Sequence, residues 1–177
     1  MQTGFWASLL LSASLASASA QTLKLPSGKR LSYSAGSGCT SFVVPLADRA
    51  TSRLCLQRDS TVAQDASPTS VKLIAEVPNI AIILTDTYDS IPAGMSYCQA
   101  GEELFLRIIA VKGKQPKETY HQKLASCRQN IELADPGLTW SADKKTLTIY
   151  WLSAPESVGV SGTLSLNIGD NGQVKQP

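Results

Sequence analysis

From Thr146 to Trp151, apolar and polar side chains strictly alternate. Leu147, Ile149 and Trp151 fall on one parity, and Thr146, Thr148 and Tyr150 on the other. Thr163 to Ile168 repeats the pattern, with Leu164, Leu166 and Ile168 set against Thr163, Ser165 and Asn167. A period of two with one polar side is the pattern of half-buried antiparallel strands. Ser141 to Lys145 reads as the turn that joins Leu138–Trp140 to the first of them. Gly169-Asp-Asn-Gly172 reads as a turn after the second, suited to positive φ, with a last short strand around Gln173 to Lys175.

Earlier segments extend the same plan. Thr22–Leu25 and Lys29–Tyr33 read as a hairpin through Pro26-Ser-Gly28. Val71–Val77 and Ile80–Thr85 are apolar and branched, separated by Pro78-Asn79. Glu102 to Lys112 carries Leu104, Leu106 and Ile108 on one face and Phe105, Ile109 and Val111 on the other. A strand of that kind belongs inside a sheet covered on both sides. Two stretches admit a short helix. Asp59 to Ala66 has Thr61 and Gln64 in capping-box spacing. In Pro116 to Cys127, Tyr120, Leu124 and Cys127 fall at helical spacing, while Thr119-Tyr120-His121 also reads as strand. The expected fold is mostly β, an antiparallel sandwich or open barrel with at most one or two short helices.

The first twenty residues carry no charge and end in Ala18-Ser19-Ala20, a small-x-small site. They read as a cleavable signal peptide cut before Gln21, leaving one exported domain over 21–177. The apolar run is short and broken by serines, so it does not suit a membrane anchor, and no other run is long enough. No Cys lies just after the cut, and no N-x-S/T acceptor site occurs. The periplasm or another extracellular space is the expected location.

Cys39, Cys55, Cys98 and Cys127 then read as two disulfides. Of the three connectivities, the local one is favoured, Cys39–Cys55 with Cys98–Cys127. A hairpin turning at Pro45 to Arg49 would set Cys39 opposite Cys55 and Ser41 opposite Arg53, close enough to bridge. No CxxC pair suggests zinc.

Sixteen basic residues stand against 14 acidic ones, a net charge of +2. That balance argues against a dedicated nucleic-acid binder. His121 is the sole histidine and sits in a polar stretch, so a Ser-His-Asp centre has little to build on. No metal or cofactor motif is present, and none is expected to be bound. Asp86 and Asp89 follow an apolar strand and read as an exposed loop, where carboxylates could serve glycoside chemistry. Trp151 reads as core. Asp86, Tyr88, Asp89, Tyr97, Trp140 and Tyr150 form the candidate partner-binding set, since aromatics anchor interfaces.

The leading expectation is an exported, non-catalytic domain that binds another protein, in the manner of an inhibitor or immunity protein of a bacterial envelope. A carbohydrate-binding module or glycoside hydrolase using the acidic loop is the first alternative. A structural envelope component is the second.

Overall fold

The computed structural model describes residues 20–35, 38–46, 50–91, 98, 101–159 and 162–176. Residues 1–19 of the expected signal peptide (1–20) and Tyr97 lie outside the described residues. Three four-stranded antiparallel sheets follow one another along the chain, each a simple meander. The first holds β1 (Gln21–Lys24), β2 (Arg30–Ala35), β3 (Cys39–Pro45) and β4 (Thr51–Gln57). The second holds β5 (Ser70–Val77), β6 (Ala81–Asp89), β7 (Glu102–Ala110) and β8 (Lys117–Ser126). The third holds β9 (Glu132–Ser141), β10 (Thr146–Ser153), β11 (Thr163–Ile168) and β12 (Val174–Lys175).

The second sheet lies between the other two, and its side chains explain why. On one face Ala81, Ile83, Leu106, Ile108 and Leu124 pack against Leu147, Ile149, Trp151, Leu166 and Ile168 of the third sheet. On the other, Val71, Ile82, Leu84 and Ile109 pack against Leu31, Tyr33, Phe42, Val44 and Leu56 of the first. The double-sided apolar pattern of β7 thus does what its sequence requires, and the product is a layered sandwich with no closed barrel. Fully burying one such aliphatic side chain contributes about 1.5–3 kcal/mol. The two inner faces of the central sheet therefore dominate cohesion between layers.

Two contacts fix how the third sheet sits on the second. The Trp151 indole Nε1 donates to the Leu124 carbonyl at 2.9 Å in a buried position. Gly172, at φ +76°, lies so close that a Cβ there would fall 2.6 Å from the Ala110 Cβ. Only glycine combines that backbone with that approach.

Both expected disulfides are present, Cys39–Cys55 and Cys98–Cys127. The register of the β3–β4 hairpin differs from expectation by two residues. Ser41 pairs with Cys55 and Cys39 with Gln57, while Arg53 lies opposite Val43. The bridge therefore joins diagonal neighbours whose Cα atoms are 5.6 Å apart.

Neither stretch open to a helix forms one. Lys117–Ser126 is strand β8 throughout. Asp59 to Ala66 is a run of turns, because the Asp59 carboxylate accepts from the Thr61 amide at 2.9 Å and hydroxyl at 2.7 Å. That Asx-type turn uses the Thr61 side chain that a helix cap would need. A three-residue 3-10 turn, Glu156–Val158, is the one helical element among the described residues. No helix there is long and apolar enough to cross a membrane.

Candidate functional site

The central sheet changes character along the face it turns to the first sheet. At one end Ile82, Leu84 and Ile109 are apolar. At the other, Asp86 and Tyr88 on β6, Glu103, Phe105 and Arg107 on β7, and Lys123 on β8 are all buried. Phe105 lies opposite Asp86 on one side and Lys123 on the other, so the ring sits in the middle of the polar end. The Arg107 guanidinium carbon is 5.3 Å from the ring centroid and the Lys123 ammonium 5.5 Å. Tyr88 meets the same ring edge-on at 6.0 Å.

Each cation has its own carboxylates. Arg107 Nε donates to Asp86 at 3.1 Å, and Nη1 donates to Glu118 at 2.9 Å and to the Gln57 carbonyl at 3.2 Å. Lys123 Nζ reaches Asp59 at 3.1 Å, Thr61 Oγ1 at 3.0 Å and Glu103 at 3.5 Å. Ser90 donates to the other Glu103 oxygen at 2.7 Å. Tyr88 donates to Asp86 at 2.8 Å, and its oxygen lies 2.6 Å from the Thr40 hydroxyl. The phenol has one proton and gives it to Asp86, so Thr40 is the donor in that second bond. The network ties β3, the end of β4 and the turn after it onto the central sheet.

Burial lowers the tendency of Arg107 to hold its proton, but Asp86 and Glu118 more than offset this, and its pKa is raised. Burial would raise the Asp59 carboxyl, yet the Thr61 amide and hydroxyl and the Lys123 ammonium hold it below the usual range. Its contribution to stability is therefore present above the ordinary carboxylate pKa and lost as pH falls through the lowered one. Burial, then the negative charge of Asp86, pushes the Tyr88 phenol far above its ordinary value. The linkage has the opposite sign there. The stabilisation is complete below about pH 10, the unfolded phenol value, and is lost as pH rises beyond it. Tyr88→Phe should flatten the loss of stability above pH 10 and remove a late-ionising phenol from a 295 nm absorbance titration. An unchanged titration curve would contradict this environment. At neutral pH the same substitution leaves Asp86 and Thr40 each short of a partner and should cost about 1–3 kcal/mol.

A surface depression adjoins this cluster. One part, of about 260 Å3, is lined by Gln57, Arg58, Asp59, Phe105, Arg107, Glu118 and His121. A second, of about 290 Å3, shares Asp59, Phe105 and His121 and adds Gln122, Lys123, Gln129, Ile131, Pro155 and Ser157. A third, of about 450 Å3, continues past Gln129, Ile131 and Pro155 to Ala154 and Glu156. His121 and Lys123 share one face of β8, and Gln122 points to the other. All three line the same hollow, so it wraps around the free edge of the central sheet. Its walls are the turn after β4 on one side and the turns before β9 and after β10 on the other.

That edge is short. Bulges where β8 pairs with β7 set Thr119 and Leu124 out of register, leaving Tyr120 to Lys123 regularly paired. Among the described residues no backbone bond outside the strand pairs involves residues 119–125. The Lys123 carbonyl takes only the neighbouring Gln122 side-chain amide, at 3.2 Å.

Of the six residues expected to form a partner surface, Tyr97 lies outside the described residues and the other five do not form one exposed surface. Asp86 is fully buried and Tyr88 is 1 % exposed. Both lie within β6, which continues to Asp89, so the expected exposed acidic loop is instead a buried strand end. Asp89 is exposed and pairs in register with Glu102. Trp140 lies opposite Leu147 and packs into the core between the second and third sheets. Tyr150 is half-buried on the other face of the third sheet, opposite Thr163. Trp151 is core. Arg107 and Lys123 were not singled out from sequence. The usable signal was Arg107, a charge on the inward parity of β7 between Phe105 and Ile109. No group of three or more His, Cys, Asp or Glu among the described residues is placed to hold a metal ion.

No family model, curated protein or solved structure matches this chain.

Proposed function

We propose that the protein is an exported, non-catalytic binding domain that takes an extended segment of another protein along the free edge of β8. The observation that carries this reading is the hollow that wraps His121, Gln122 and Lys123 although they alternate between faces. A strand entering there would extend the central sheet, with backbone bonds supplying affinity and the wall turns selecting side chains. Natural sheets blunt their edges with bulges and charges. Here bulges close both ends of the edge, and between them the Gln122 amide is an internal stand-in that an incoming strand would displace. The two disulfides and the uncharged leader ending in Ala18-Ser19-Ala20 support an oxidising, exported setting.

The test is a photo-crosslinking residue placed at His121 or, for comparison, at Thr148, in the protein's own host. A second polypeptide should be trapped from position 121 and not from 148. Amide exchange of the disulfide-intact protein with that polypeptide should then slow within 120–123. Protection confined to β10 and β11, or equal trapping from both positions, would overturn the proposal.

A further inference from the structure

The outward face of the first sheet is the most one-sided charged surface among the described residues. Leu23, Leu31, Tyr33, Phe42, Val44, Leu54 and Leu56 turn inward, which leaves Lys24, Arg30 and Arg53 on the opposite parity. All three are exposed. Lys24 and Arg30 are directly opposed across β1 and β2. Like charges in that position repel and destabilise a strand pair. No described carboxylate of this sheet relieves them: the described residues of β1 to β4 contain neither Asp nor Glu. The neighbouring Glu76 is occupied by the Ser27 amide and hydroxyl at 2.9 and 2.7 Å. None of the three cations forms an ion pair with a described residue.

Arg53 lies opposite Val43, which lies opposite Ser32, the residue two along from Arg30. Strands about 4.8 Å apart and same-face residues about 7 Å apart place Arg53 roughly 12 Å from Arg30. Between and beside them the face carries the half-buried Val43 and Ser32, Ser34 and Ser41, short side chains that leave the surface flat, the serines supplying hydroxyls. The face therefore offers spaced cations, hydroxyl donors and no groove.

We infer that this face binds a linear anionic polysaccharide, with carboxylate or sulfate groups on successive sugars meeting Lys24, Arg30 and Arg53. Single-stranded nucleic acid is the poorer fit, because its bases need aromatic platforms and the described residues of this face carry none. A membrane surface is also a poorer fit, because interfacial adsorption draws on large exposed apolar side chains beside the basic ones, and the described face offers only the small, half-buried Val43 next to Arg53. The inference rests on a different sheet from the β8 edge and stands or falls separately from it.

The experiment uses the disulfide-intact protein with heparin and with polygalacturonate, titrated at several salt concentrations. The triple variant Lys24→Gln, Arg30→Gln, Arg53→Gln should bind about tenfold or more weakly, as expected for three exposed ion pairs. A charge-matched control, Lys112→Gln, Lys144→Gln, Lys175→Gln, should stay within about twofold. The first variant should unfold at an equal or higher temperature, because the Lys24–Arg30 repulsion is gone. Equal losses from both triples would reduce the effect to net charge and overturn the assignment. So would no binding of either polymer at low salt, or tighter binding to single-stranded DNA or to phosphatidylglycerol vesicles.

Discussion

Arg107→Ala should destabilise the protein by about 3–5 kcal/mol, the cost of stranding a buried charge. The melting temperature should fall by on the order of 10 °C. Arg107 is 1 % exposed and Asp86 is fully buried, so the carboxylate loses its donors where it is poorly solvated. Asp86 would keep only the Tyr88 hydroxyl, the Gln57 carbonyl would lose its guanidinium donor, and Phe105 would lose one of its two cations. Arg107→Lys should recover only part of the loss, because a single ammonium cannot reproduce a fork that reaches Asp86, Glu118 and Gln57 together. The pair Asp86→Leu with Arg107→Met should cost clearly less than the two single changes added, since it removes both charges and keeps the volume. Urea unfolding of the wild type, the two single variants and the double variant measures this directly. Strict additivity would mean that the two residues do not act as a buried pair.

Much of this architecture can be read from the chain. The alternation in β10 and β11 marks their inward faces without ambiguity. The apolar residues on both parities of β7 announce a covered sheet, and hence three layers. The turns at Pro26-Ser-Gly28, Pro78-Asn79 and Gly169–Gly172 place three of the hairpins. Where reading fails, the competing structures share a pattern. Tyr120 and Leu124 are four apart, which is about one helical turn and also an even number, so they share a face in either structure. Here the edge position beside β7 decides for a strand. The β3–β4 hairpin could slip by two residues because such a slip keeps every side chain on its face. Alternation is blind to it, and the turn alone sets the register.

The candidate site was less legible, for a different reason. Asp86-Thr-Tyr-Asp89 looks like the polar end of a strand because its compensation comes from far along the chain. Asp86 meets Arg107 on the next strand and Thr40 through Tyr88. No local spacing shows such pairing. The usable clue was Arg107 itself, since a charge on the inward parity of a central strand needs a buried partner. The hollow beside β8 had no sequence signal, because its walls come from turns at residues 57–59, 129–131 and 154–157, brought together only by the stacking of the sheets.

Removing either disulfide should be costly, and the two should differ. The chain-entropy model gives about 3 kcal/mol for the 16-residue separation of Cys39 and Cys55. It gives about 3.6 kcal/mol for the 29-residue separation of Cys98 and Cys127. Context should widen the gap. Cys39 and Cys55 lie on adjacent strands already held in register by the β3–β4 ladder, and Cys55 faces solvent. Cys98 is 3 % exposed and fastens the β6–β7 connection to the end of β8. Gly101 is packed so closely there that a Cβ would fall 2.6 Å from the Cys127 Cβ. Cys98→Ala with Cys127→Ala should therefore show the larger drop in urea stability. Under limiting reductant, mass-tagged alkylation should appear first at Cys39 and Cys55. The reverse order in both measurements would mean that the β6–β7 connection holds its place without a staple. Together the bridges contribute about 6–7 kcal/mol, against a typical total of about 5–15 kcal/mol for a domain. A fold with that dependence is secure only where thiols oxidise. Loss of cooperative unfolding in the fully reduced protein would tie the sandwich to such a compartment, and full retention would remove that support for export.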